Sequence, residues 1–419
     1  MSIRPTLRAW NAFDRVLALA ALAAGALIAL RAPGMGDYPS DAGPALSAIA
    51  HGSIAGFFSH QPAMGAVSLY VRAPFVILAA AFHDAPVALY RWGDVPCVLS
   101  VALVATWMAR VAGRRGTGPV GRALIVALCL INPLLSNALY LGHPEELLTA
   151  SLAVGSLLAA CDRRVLLAAV LGGLAVASKQ WALLIVCPVL LTLERERIRA
   201  GVVMLSTAAA STLPMVVANF ASFRHAVAYI STPQPVATLF SWLYPLSRTH
   251  TIRFSLIFGH AHVLTVRSDH GIETAFSHPL IIVLGFAVPL LVWYRRGRHL
   301  SAEDVVLSAA VVFLLRCTLD PGSWPYYHFP LLLALVALDA TAGRRLPLAG
   351  LTGVAGAFIV LDRFPTYFGD GAANLAYTVT TLVGLALLVR ELRSPARVRS
   401  AAALGRWRAG GVSREVSTS

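Results

Sequence analysis

The sequence has 419 residues, 57% of them hydrophobic and only 13% charged, with a mean hydropathy of +0.70 and a net charge of +14. A soluble domain carries about 25% charged residues, so this composition excludes an ordinary soluble enzyme, and its hydrophobicity excludes a disordered chain. The basic residues sit in short clusters between long apolar runs, with no basic stripe interleaved with aromatics, which excludes nucleic acid as a partner and predicts an all-α polytopic membrane protein.

The first apolar run, Val16 to Leu30, follows Arg4, Arg8 and Arg15. Many equally apolar runs follow it, so it reads as a retained anchor rather than a cleaved signal peptide. Basic clusters recur at Arg110–Arg122, Arg163–Arg164, Arg195–Arg199, Arg295–Arg298 and Arg344–Arg345, and again from Arg390 onward. If each cluster is cytoplasmic, neighbouring clusters enclose pairs of crossings. That predicts a bundle of about twelve transmembrane helices, near 16–32, 93–111, 123–141, 147–161, 165–178, 181–193, 201–218, 279–294, 303–319, 328–341, 346–362 and 373–390. Both termini are then cytoplasmic, in a plasma-membrane protein. Val67 to Phe82 is apolar enough to cross, but a crossing there inverts everything after it. With Arg72 and Pro74 inside it, the stretch reads as an interfacial or re-entrant element.

Residues 1–390 therefore read as one transmembrane domain with outer loops at about 33–92 and 219–278. Residues 391–419 read as a basic, disordered cytoplasmic tail against anionic lipid.

The 29 residues from Val165 to Leu193 must go out and return between two basic clusters. At 1.5 Å per residue each arm reaches about 21 Å, short of the roughly 30 Å of hydrocarbon. The apex, Ser178-Lys179-Gln180-Trp181, is thus expected below the outer surface. Lys179 is the single lysine among 34 basic residues. An ammonium at that depth needs solvation or a partner. A water-filled cavity opening outward supplies both, and the short run from Leu147 draws Gly142-His143-Pro144-Glu145-Glu146 toward it.

Four constellations face that side. Asp37-Tyr38-Pro39-Ser40-Asp41-Ala42-Gly43 offers two carboxylates just outside the first span, as candidate general bases. His143, Glu145 and Glu146 gather at a helix start, where Pro144 suits the first turn and the acids suit the dipole. Lys179, Gln180 and Trp181 combine a cation, an amide and an indole suited to a phosphate headgroup. Arg316 precedes Asp320 and the aromatic run Trp324 to His328. Either these are an i, i+4 pair and an interfacial belt, or they are a donor-binding rim. His260 and His262 form an HxH pair with no third ligand, and the five scattered cysteines suggest neither disulfide nor zinc site. No metal site is indicated, although a divalent cation is compatible with the acids.

In order along the chain these features resemble the multi-spanning GT-C glycosyltransferases, and bacterial family 87 in particular. The resemblance lies in Ser40-Asp41-Ala42-Gly43 with Ala50-His51-Gly52, in the Gly142–Glu146 motif, in Gly172-Gly173-Leu174-Ala175-Val176-Ala177-Ser178-Lys179-Gln180-Trp181, and in the Asp320–His328 segment. It spans about residues 10–390. It implies a GT-C-like bundle whose first outer loop carries juxtamembrane helices. It also implies transfer of a sugar, usually mannose, from a polyprenyl-phosphate donor at the outer leaflet, with inversion and an acidic base from that loop. The acceptor is then a glycolipid or polysaccharide.

On this basis Asp41, or next Asp37, is the base. Lys179, Arg72, Arg316 and His328 bind donor phosphate. His143, Glu145, Glu146, Gln180, Trp181, Tyr326 and Tyr327 bind substrate, and no cofactor is required. The rival reading is a transporter or lipid flippase, which calls for inverted repeats and polar sites facing both sides. Neither is evident in the sequence.

Overall fold

The computed structural model describes residues 11–62, 65–228, 249–255, 261–267, 272–320 and 324–393. The tail and His260 lie outside these residues, and His262 is described only in its backbone. The protein is an all-α membrane bundle. Among the described residues, seven helices are long and apolar enough to cross a membrane, and shorter apolar helices accompany them.

The chain enters through α1 (Ala12–Leu30), capped by Asn11, whose side chain accepts from the Asp14 amide. A tight turn over 36–42 leads to two short helices, α2 (Gly43–Ala50) and α3 (Ile54–Ser59), and then to α4 (Ala66–Ala80). The stretch read as interfacial or re-entrant is thus a helix. It packs against α2 and against α5 (Pro86–Arg114). His51 ties the end of α2 to the α4–α5 turn through Asp84, Nε2 to Oδ2 3.0 Å.

The span expected at 123–141 is broken in two. Asn132 stops α6 (Pro119–Leu130) and caps α7 (Pro133–Tyr140), its side chain accepting from the Leu135 amide. Pro133 sits at the first turn of α7, where its missing N–H costs nothing. Next, α8 (Pro144–Cys161) is buried along nearly its whole length, which makes it the axis of the bundle. It runs beside α9 (Val165–Ser178) with small residues at the contact, and Ser156 Oγ donates to Ala168 O at 2.7 Å. The chain turns at Lys179, returns through a 3-10 segment (Gln180–Ile185) and continues as α10 (Val186–Thr192). Helix α9 covers 14 residues, so the short-hairpin expectation holds in the backbone.

Peripheral helices follow: α11 (Arg197–Ala218), α12 (Phe220–Ala228) and α13 (Ile272–Arg295). Within the long loop an antiparallel pair, β1 (Thr249–Ser255) and β2 (Ala261–Arg267), runs in register Thr249 to Arg267. The sequence reading did not anticipate it. Then come α14 (Ala302–Leu319), a 3-10 turn (Pro325–His328), α15 (Phe329–Thr341), α16 (Leu348–Phe358) and α17 (Phe364–Arg393). A π turn, Ile359–Arg363, joins the last two. Each of the twelve expected spans coincides with a helix or a helix pair.

The two ends of the bundle differ in chemistry. At one end, where α5 and α15 finish and α14 starts, lie ion pairs of Arg114 with Asp162, Arg163 with Glu194, Arg296 with Asp304, and Arg344 with Asp339. The other end, where α8 starts and α9 finishes, carries the candidate site.

Candidate active site

The hub of this end is α7. Its C-terminus closes with His143 N donating to Ala138 O at 2.8 Å. Gly142 takes φ +84, a left-handed conformation that favours glycine. It also lies against the backbone of the 36–42 turn, close enough that a Cβ would overlap Met35 O. Asp37 N donates to Leu141 O at 3.0 Å, which docks the acidic turn onto the same corner. From the far side, Tyr326 N donates to Asn137 Oδ1 at 3.2 Å. One eight-residue helix thereby sets the acidic turn, the start of α8 and the Pro325–His328 turn side by side.

The side chains then meet. His143 stands between two carboxylates, Nδ1 to Glu145 Oε1 3.0 Å and Nε2 to Asp37 Oδ2 3.4 Å. Lys179 Nζ lies 3.2 Å from Glu145 Oε1 and 3.6 Å from Glu146 Oε1, with 18% of its side chain exposed. Trp181 Nε1 donates to Glu146 Oε2 at 2.8 Å. Arg316 lies over the Trp181 ring at 4.9 Å and the Tyr327 ring at 4.6 Å. The Tyr326 ring packs at a tilt against the His143 ring, centroids 4.9 Å apart.

Asp41 joins from the first loop, offering an oxygen within 4.8 Å of ligand atoms of both His143 and Glu145. A divalent cation could use those three groups. His143 also pairs with Asp37, and Glu145 with Lys179.

Beside His143, which sits just outside α8, burial works against the charged ring. Its hydrogen bonds to Asp37 and Glu145 outweigh burial and hold the imidazole up at about 9, so it is cationic at neutral pH. Five carboxylates (Asp37, Asp41, Glu145, Glu146, Asp320) thus face three cations (His143, Lys179, Arg316).

Three sequence candidates stand apart from this cluster. Arg72 is fully buried behind it on α4, its Nη2 3.5 Å from Asp94 Oδ1, so its guanidinium is not open to a donor phosphate. His328 faces the opposite side of its turn, where Nε2 meets the Tyr377 hydroxyl at 3.0 Å. There it lines an apolar cavity of about 520 Å³ between α14, α15, α16 and α17. Gln180 lines a second cavity, of about 130 Å³, with Gln61, Lys179 and Thr212.

Sequence reasoning missed Asn137 and Asp94. Asp94 carried a signal, since an acid inside an apolar span asks for a partner. Asn137 carried none, because its role depends on a turn almost 190 residues away.

Fold and cluster together define a polytopic helical membrane protein with a part-buried acid–ammonium centre at one end of its bundle. The family model for glycosyltransferase family 87 matches residues 68–321, more than half of the chain, and the protein belongs to that family. It is therefore a membrane-embedded glycosyltransferase. The matched range holds His143, Glu145, Glu146, Lys179 and Arg316, while Asp37 and Asp41 precede it. No curated protein matches the chain.

Proposed function

We propose that the protein transfers mannose from a polyprenyl-phosphate donor to a glycolipid or polysaccharide hydroxyl on the outer face of the plasma membrane, with inversion at the anomeric carbon. The observation that carries this reading is the meeting of the first-loop carboxylate Asp41 with the His143–Glu145–Lys179 cluster.

In this mechanism Asp41 accepts the proton of the acceptor hydroxyl as that oxygen attacks the anomeric carbon. The bond from the anomeric carbon to the phosphate oxygen breaks, and polyprenyl phosphate leaves with both bonding electrons. Its growing charge falls to Lys179 and Arg316, in surroundings where fixed cations act more strongly than in water. Lys179 pairs with Glu145 and Glu146 as an ion pair, and its ammonium carries three N–H donors. In this mechanism one of those donors turns to a phosphate oxygen.

Asp41 is preferred to Asp37 as base. Asp37 is 72% exposed at the rim of the cluster, whereas Asp41 reaches both His143 and Glu145. The apolar cavity beside His328 is separated from the cluster by one 3-10 turn and suits the donor's isoprenoid chain.

Because Lys179 and Arg316 supply the positive charge, transfer from polyprenyl-phosphate-mannose should continue after chelation of divalent cations. The mannosyl product should have the anomeric configuration opposite to the donor's. Retained configuration, or activity abolished by chelator and restored by metal, would overturn this mechanism. The rival reading as transporter or flippase predicts movement of the intact donor across vesicles with no mannosylated product.

A further inference from the structure

Behind the acidic turn lies a polar group of residues that the reaction does not touch. Arg72 and Ser68 from α4 and Asp94 from α5 are all buried. The Arg72 guanidinium also lies over the ring of Tyr38, 5.4 Å from its centroid, and Tyr38 packs against Tyr90 at 4.9 Å. Tyr38 is the residue on which the turn closes. Its carbonyl accepts from Gly43 N at 2.7 Å and Asp41 N at 3.3 Å, and its amide donates to Met35 O at 2.8 Å.

A buried ion pair is by itself weak support for stability. Among the described residues, four buried side-chain atoms here have no hydrogen-bond partner: Tyr38 hydroxyl, Ser68 Oγ, and Arg72 Nε and Nη1. Each such atom forfeits its hydration. A buried pair at 3.5 Å with unsatisfied neighbours repays little of its desolvation. A fixed guanidinium under an aromatic ring does, however, hold that ring in place.

We propose that Arg72, neutralised by Asp94, is a positioning residue: it pins Tyr38 and through it the turn that presents Asp41 to the cluster. This rests on the reading of Asp41 as the base. Asp94 keeps the cation affordable in the interior. The Tyr38 ring carries the constraint to the backbone, and the Asp41 amide is bonded to that backbone.

The test is the double replacement of Arg72→Met with Asp94→Leu, which removes the pair without stranding either charge and keeps the fold. Transfer is measured from polyprenyl-phosphate-mannose into a membrane-lipid extract. Motion of the turn is read from a nitroxide on Ser40→Cys, an exposed position, in a Cys161→Ala background. The expected result is a folded double variant with kcat lower on the order of 100-fold, from misplacement of the base. Its KM for the donor is unchanged and the label moves faster. Tyr38→Leu, with the pair intact, reproduces both effects. A double variant with wild-type kcat and wild-type label motion overturns the inference, because a pair that only fills space can be replaced by apolar residues. If the wild-type protein transfers nothing from this donor, the functional reading fails instead. The label then decides this inference alone: unchanged motion overturns it and faster motion supports it.

Discussion

Lys179 sits at the apex of a short hairpin and is held by two glutamates. The Glu145 carboxylate is fully buried and touches both Lys179 and His143, so its negative charge serves two cations at once. Removing the ammonium as Lys179→Met should strand Glu145 and Glu146 as well as take a donor from the leaving phosphate. Loss of one such preorganised donor costs about 10²- to 10³-fold in kcat, read as initial transfer rates under donor saturation.

His143 gives a second prediction, on stability. Its folded pKa of about 9 is raised above the ordinary histidine value of 6.5. A raised pKa contributes stability that is fully present below the unfolded value and is lost as pH rises through the folded one. The detergent-solubilised protein should therefore lose melting temperature between pH 6.5 and pH 9, and His143→Gln should flatten that slope. An identical slope in both proteins would show that the imidazole is not held between Asp37 and Glu145.

Secondary structure was readable from the chain wherever apolar length and charge decide it. Helix α9 spans Val165–Ser178 as expected, and Lys179 sits at the apex because the arms are short. The helical stretch with Arg72 was also legible, but not its role. An arginine on an apolar helix can meet a ligand or a buried acid, and only the packing of α4 on α5 decides for Asp94. Similarly, the run Trp324–His328 gave no hint that its members divide. In a 3-10 turn successive side chains point about 120° apart, so Tyr326 and Tyr327 reach the cluster while His328 meets Tyr377.

The break at Asn132–Pro133 could have been read from its cap and proline, yet a continuous apolar run hid it. The site depends on joints between these elements. Gly65 N donates to Ser178 O at 2.9 Å, and a Cβ at Gly65 would overlap the Ala177 carbonyl. Gly65→Val should push the start of α4 off the hairpin apex and lower transfer, with a melting temperature reduced in line with the roughly 1–3 kcal/mol of overpacking. Wild-type transfer and stability in this variant would show that the joint is not needed.

Taken whole, the bundle separates a basic, ion-paired end from an end that carries the acid–ammonium cluster. From the arginine pattern we propose that the first of these faces the cytoplasm. A thiol at Ser40→Cys should then react with a membrane-impermeant reagent on intact cells, and one at Ser301→Cys, beside the Arg296–Asp304 pair, should not. The reverse labelling would invert the protein.

The most direct test of the account is a single comparison. Purified wild-type protein and Asp41→Asn are each given polyprenyl-phosphate-mannose labelled in the sugar, together with a membrane-lipid extract. The account predicts labelled glycolipid from the wild type and a rate about 10²- to 10⁴-fold lower from a folded Asp41→Asn. Equal rates from the two proteins would contradict it.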